Sequence, residues 1–209
     1  KGSEGEAYLS GRGLSIETME RFKLGYDRIK GNIIIPYNPK GSYYAKRTIR
    51  QNVAKPHDNL EGVKMPLFNQ EGLYNADVCF VTESTLCAIS IMQAGGTAVS
   101  TSGAAGIGRL IEPIRNRTPA AAIAVCMDAD DVGRKATEKL AAELDELGIF
   151  YVDVSEMLMG DQAKDPNELL QQLGAEAFAE TVAKCIESVR SHRSMAQLAD
   201  NDVRKERTG

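Results

Sequence analysis

The chain has 209 residues, 43% of them hydrophobic, and a formal net charge of −4; that is enough for a real core in one large or two small domains, and it argues against indiscriminate nucleic-acid binding. No apolar run approaches bilayer-spanning length and the amino end lacks a charged-then-apolar leader, so a cytoplasmic protein with no membrane partner is expected. Cys79, Cys87, Cys126 and Cys185 form no Cys-x-x-Cys pair, which reads as buried small hydrophobes rather than zinc ligands or disulfides, and His57 and His192 read as isolated surface residues.

Taken in order, residues 1 to 11 are weakly patterned and predict a frayed helix. Arg12-Gly13-Leu14-Ser15 reads as a turn whose Ser15 caps a short helix through Ile16, Met19 and Phe22, ending near Gly25. Asn32 to Tyr37 predicts a strand, Asn38-Pro39-Lys40-Gly41 a turn, and Ser42 to Arg50 the returning strand of a hairpin. That strand and its sequel carry Lys46, Arg47, Arg50, Lys55 and Lys64, interleaved with Tyr43 and Tyr44. Taken alone they read as a solvated hairpin face, and beside the acidic remainder of the chain they would suit a track for a polyanion. Residues 51 to 64 predict a polar loop, and Met65-Pro66-Leu67-Phe68-Asn69 an apolar plug against a second domain. Residues 1 to 77 hold 12 Lys+Arg and 9 Asp+Glu, and the remainder 13 and 20, so a basic lobe precedes an acidic one.

From Val78 the rhythm becomes strand, helix, strand, helix, the pattern of a parallel α/β sheet. Strands are predicted at Val78 to Thr82, Thr97 to Ser100, Ala121 to Met127 and Ile149 to Val154, with helices at about 84 to 94, 106 to 116 and 132 to 147. The Gly- and Ser-rich join from Ser100 to Gly108 matches no phosphate-loop pattern. An irregular loop is expected from Val154 to Asp165, then a helix from Pro166 and a longer one from about Ala175 to Arg190. Residues 192 to 209 read as a frayed helix or tail.

Three predicted strand ends carry acids: Glu83 after the first, Asp128 and Asp130 after the third, and Asp165 after the fourth. Strand alternation would throw Asp128 and Asp130 to one side, and in a parallel sheet all these ends share one edge. Carboxylates crowded there cannot all ionise without a cation. Mg²⁺ or Mn²⁺ held by oxygen ligands resolves this and suits phosphoryl transfer, with Glu83, set apart in sequence, as the candidate general acid or base. Simple helix N-capping is the competing account of acids at such junctions.

Val81-Thr82-Glu83 running into an apolar helix, Met127-Asp128-Ala129-Asp130-Asp131-Val132-Gly133-Arg134-Lys135-Ala136, and Lys164-Asp165-Pro166-Asn167-Glu168 together resemble the Toprim domain shared by topoisomerases and primases. Upstream, Arg12-Gly13-Leu14-Ser15, Leu24-Gly25-Tyr26, Ile33 to Tyr37 and Leu67-Phe68-Asn69 are similar to the amino-terminal lobe of the RNA polymerase core of DnaG-type bacterial and phage primases. The resemblance spans roughly residues 8 to 185. It implies a Toprim fold, a parallel Rossmann-like sheet flanked by helices, with a smaller mixed α+β lobe: 1–77 the basic lobe, 78–174 the Toprim domain, 175–209 a carboxyl-terminal helix and flexible tail.

It further implies a Mg²⁺-dependent nucleotidyltransferase making short RNA primers on single-stranded DNA from ribonucleoside triphosphates. Glu83, Asp128 and Asp130 would be catalytic, and Glu83, Asp128, Asp130 and Asp165 would hold the metal. Lys46, Arg47, Arg50 and Lys64 would contact template or nucleotide phosphates, and a replicative helicase would be the partner of a longer phage or mobile-element protein. Ser84 stands where the family usually has Gly, Cys87 where primases often have Asp, and Asn167 where cellular primases have a further Asp. A Toprim nuclease and a noncatalytic nucleic-acid-binding module are the alternatives, and a receiver-like α/β domain would leave the basic lobe unexplained.

Overall fold

The computed structural model describes residues 2–37, 42–50, 57–58 and 62–208. The expected turn at 38–41, Lys55 and most of the polar loop lie outside them. Helix α1 (Glu4–Gly11) is capped by the Ser3 hydroxyl and α2 (Ile16–Arg21) by Ser15, whose Oγ accepts from the Thr18 N–H. Strands β1 (Gly25–Asp27), β2 (Asn32–Pro36), β3 (Tyr44–Thr48) and β4 (His57–Asp58) form an antiparallel sheet in that order. The expected hairpin is the β2–β3 pair, with Ile34 opposite Lys46 and Ile35 opposite Ala45.

After the short helix α3 (Gly72–Asn75) the chain enters a parallel sheet of order β6-β5-β7-β8. Its strands are β5 (Val78–Thr82), β6 (Ala98–Ser100), β7 (Ala122–Cys126) and β8 (Tyr151–Asp153). Every residue of β5, β6 and β7 is buried, as a parallel sheet covered on both faces requires. Helices α4 (Thr85–Gln93), α5 (Ile107–Asn116) and α6 (Asp131–Glu146) are the crossovers; a 3₁₀ turn, Ala104–Gly106, leads into α5. The stretch expected to be irregular contains helix α7 (Ser155–Met159). The last helix, α8, runs Pro166–Thr208 with a break at Gly174, whose φ of 76° is left-handed. Among the described residues, no helix is long and apolar enough to cross a membrane.

Two apolar layers flank the parallel sheet. One, built from Leu110, Ile111, Ile114, Leu140 and Leu144 of α5 and α6, covers the face presented by Cys79, Val81, Ile123 and Val125. The other is continuous from the antiparallel sheet (Ile33, Ile35, Tyr37, Tyr43) through Phe68 and α4 to Phe178, Val182, Cys185 and Val189 of α8. The two sheets therefore share a core, and α8 beyond Gly174 packs into it. This sets the carboxyl edge of the parallel strands beside the basic strand β3.

Candidate active site

The acids are positioned by how each strand ends. Beyond β5, Glu83 is pinned by its carbonyl, which accepts from the Ser100 hydroxyl (3.1 Å) and the Gly103 N–H (2.9 Å). Ser84 then caps α4, its Oγ accepting from the Cys87 N–H at 3.2 Å, so the residue in place of the family's glycine is a working helix cap. Cys87 lies buried beneath it.

The β7 end differs from the expectation in one respect. The strand stops at Cys126, so strand alternation no longer governs Asp128 and Asp130, and the two side chains have different surroundings. Asp128 is half-buried. Asp130 is the N-cap of α6: its Oδ1 accepts from the N–H groups of Val132 (3.0 Å) and Gly133 (2.8 Å), and its Oδ2 pairs with Lys164 Nζ at 2.9 Å. Asp165 likewise caps α8, accepting from the Glu168 N–H at 2.8 Å, with Pro166 at the first helical position. The Ala129 N–H donates to the Lys164 carbonyl at 2.7 Å, tying the loop of Asp128 to the loop of Asp165.

Glu83, Asp128 and Asp165 line one cleft of about 430 Å³, together with Ser84, Thr85, Ser102 and Gly103. The amino-terminal lobe contributes Arg12, Lys46, Arg47 and Tyr37 to the same cleft. Asp128 Oδ1 and Glu83 Oε2 are buried with no hydrogen-bond partner among the described residues. Burial, then the neighbouring carboxylates of Glu83 and Asp165, pushes the Asp128 carboxyl up to about 7. Burial also raises Glu83, against the pull of the Ala104 N–H. Asp130 goes the other way, held low by the Gly133 N–H and by Lys164.

Among the described residues, no three Asp, Glu, His or Cys side chains already stand close enough together to form a cation site. The donor set nevertheless fits a hard divalent ion. It is all oxygen, and two of its acids hold unpartnered buried oxygens whose charges repel.

The basic residues divide. Lys46 and Arg47 line the cleft, with Arg47 Nε donating to the Tyr8 hydroxyl at 3.1 Å. Arg50 is exposed and bonds the Ile29 carbonyl at 2.6 Å, outside the lining. Lys64 lines a neighbouring cleft and pairs with Glu112 at 2.8 Å. Arg12 was not singled out as a site residue from sequence, where Arg12-Gly13-Leu14-Ser15 reads as a turn and as part of the resemblance of the amino-terminal lobe.

The two roles available to Asp130 can be separated. Asn caps helices as well as Asp does, so Asp130→Asn should leave the melting temperature within about 2 °C of wild type, the shift expected for under 1 kcal/mol in a chain this long. If the carboxylate also serves the cleft, divalent-ion-dependent activity falls at least tenfold. Unchanged activity would leave Asp130 a cap alone.

A parallel α/β sheet with acids at the carboxyl ends of its strands, facing a basic antiparallel lobe, defines the class. Residues 80–170 match the model of the Toprim-like family. The whole arrangement is the fold of a primase core. It resembles the Aquifex aeolicus primase (zinc-binding and RNA polymerase domains) at TM-score 0.67 and 18% identity, covering 88% of this chain and 56% of that one. It also resembles the primase fragment of the bacteriophage T7 primase-helicase protein, at TM-score 0.61 and 20% identity, over 83% of this chain and 72% of that one. A chain in the structure of bacteriophage T7 lagging-strand DNA polymerase interacting with primase domains of two gp4 subunits bound to an RNA/DNA hybrid and dTTP matches at TM-score 0.55 and 18% identity. That match covers 83% of this chain and 89% of the other. The present chain thus spans little more than half of the Aquifex chain. No curated protein matches the sequence.

Proposed function

We propose that this chain is the catalytic core of a DNA primase, joining ribonucleoside triphosphates into short RNA primers on single-stranded DNA. The observation that carries the reading is the cleft itself. Two buried carboxylate oxygens, on Glu83 and Asp128, without partners among the described residues, share it with Arg12, Lys46 and Arg47 inside a primase-core fold. Glu83, Asp128 and Asp165, with Asp130 beside them, would hold Mg²⁺ or Mn²⁺, which when bound offsets the negative charge that develops in nucleotidyl transfer. Glu83, whose carboxyl is raised by burial above the ordinary carboxylate range, takes the proton of the attacking 3′-hydroxyl. Arg12, Lys46 and Arg47 carry the phosphates of nucleotide and template. Arg50 and Lys64, set outside this cleft, would serve a more distant stretch of the strand.

In this reading residues 1–77 form the basic lobe, 78–174 the Toprim domain and 175–209 the carboxyl-terminal extension. The setting is cytoplasmic, within a phage or mobile-element replication protein, and the partner is a replicative helicase like the one named with the T7 fragment. The test is a priming assay with ribonucleotides, a single-stranded template and Mg²⁺, comparing wild type with Asp128→Ala. Template-dependent oligoribonucleotides made by wild type alone are expected. Strand cleavage instead of synthesis would favour a Toprim nuclease and end this proposal, as would synthesis indifferent to Asp128.

A further inference from the structure

Two side-chain amides of the parallel-sheet domain grip the turn that carries Arg12. Gln93, at the end of α4, donates from Nε2 to the Gly13 carbonyl and accepts the Ser15 N–H on Oε1, both at 2.8 Å. Asn167, fully buried, donates from Nδ2 to the Arg12 carbonyl and to Ser90 Oγ, also at 2.8 Å. The amide orientation is dictated by its neighbours. Ser90 spends its proton on the Leu86 carbonyl at 2.9 Å and can only accept from Asn167, while Gln171 Nε2 donates to Asn167 Oδ1 at 3.3 Å. An anionic oxygen in place of either amide nitrogen would face a carbonyl oxygen.

The turn is also seated sterically. Gly13 has φ +80°, and a Cβ there would stand 2.9 Å from Leu170 Cγ on α8. So fixed, the turn sends the Arg12 side chain into the cleft, where its Nε is buried with no hydrogen-bond partner among the described residues. A buried guanidinium N–H without an acceptor is costly unless a ligand supplies one, and a guanidinium's preferred ligand is phosphate or carboxylate.

We infer that Gln93 and Asn167 are positioning residues that hold Arg12 ready for the phosphates of an incoming nucleotide. This rests on the reading of the cleft given above. Because neither amide reaches the cleft lining, each acts on nucleotide only through Arg12.

The test is a double-mutant cycle on the intact chain with Arg12→Gln, Gln93→Ala and both together. It reads KM and kcat for ribonucleotide incorporation, and equilibrium binding of a fluorescent ATP analogue with Mg²⁺. Each single variant should raise KM and the analogue Kd about tenfold, the effect of about 1.4 kcal/mol, with kcat changing less than threefold. The double variant should be no worse than Arg12→Gln within twofold. Multiplying effects, a loss confined to kcat, or wild-type affinity in Gln93→Ala would overturn the positioning role while leaving the cleft a nucleotide site. Failure of wild type to bind the analogue would overturn both. Asn167→Asp should show the same dependence on Arg12; should it fail to fold, the Gln93 cycle decides alone.

Discussion

Asp128→Asn is expected to reduce primer synthesis by about 10³-fold and, in the absence of divalent ions at pH 8, to melt higher than wild type. The two effects have one cause. Folding buries the Asp128 carboxyl beside Glu83 and Asp165, so its pKa rises from an ordinary value near 3.8 to about 7. The folded state therefore binds this proton more tightly than the unfolded chain does, and stability is lost as pH climbs through the window between those two values. At pH 8 the penalty is complete. Discounted for the solvent that reaches a half-exposed group, it is about 1–2 kcal/mol, and relieving it should raise the melting temperature by about 3–6 °C. The isosteric amide keeps the volume and removes the charge.

The same wild-type site should be stabilised by millimolar Mg²⁺ and the variant should not, since a ligand stabilises only the state that binds it. Differential scanning fluorimetry across pH 4 to 8, with and without Mg²⁺, reads all of this. A variant that melts below wild type at pH 8 in EDTA would mean that Asp128 is satisfied as it stands and has no call on a cation.

How much of this was legible beforehand varies with the kind of signal. The buried strands β5 and β7 are continuous apolar runs bounded by polar residues, and they sit where that pattern places them, within a residue or so. That Glu83 and Asp128 line one cleft follows from parallel topology, which the alternation of strand and helix patterns encodes; Asp165, beyond α7 at the start of α8, is brought there by the tie between Ala129 and Lys164. The directions of individual side chains do not follow. Asp128 and Asp130 look alike in sequence, yet the strand ends before either and the α6 amides capture Asp130.

Basic residues were harder still. Arg50 and Lys64 are as cationic as Lys46 and Arg47, but a count of charges has no direction, and their partners, the Ile29 carbonyl and Glu112, are distant in sequence. Arg12 depends on contacts 80 and 155 residues away, with Gln93 holding the adjacent Gly13 and Asn167 holding Arg12 itself. The local motif Arg12-Gly13-Leu14-Ser15 marks the turn but does not show that the side chain enters the cleft. The charged carboxyl-terminal stretch, read as a frayed helix or tail, continues α8 as helix to Thr208. Its Ala, Gln, Glu, Lys and Arg favour helix even without a periodic apolar face.

Gly133→Ala is expected to cost far more than the addition of one methyl group usually does. Gly133 is buried in the first turn of α6 with an ordinary negative φ, so its requirement is for space and not for an unusual backbone angle. A Cβ there would stand 1.9 Å from the carbonyl oxygen of Asp128, 2.7 Å from its carbonyl carbon and 3.0 Å from its Cα. All three are backbone atoms, and no rotamer change can clear them. The loop must move, and Asp128 and the Gly133 N–H bond to Asp130 move with it. Overpacking against fixed atoms costs about 3 kcal/mol, which in a chain of this length lowers the melting temperature by about 6–12 °C. Displacing a reacting group by about 1 Å costs about 10²-fold in rate. Gly108→Ala is the matched control, since a Cβ there meets nothing within 4 Å in helix α5; it should be neutral or stabilising by up to about 1 kcal/mol. If Gly133→Ala melted like Gly108→Ala and still made primers, the Asp128 turn would be pliable, and close packing against α6 could not be what holds that carboxylate in the cleft.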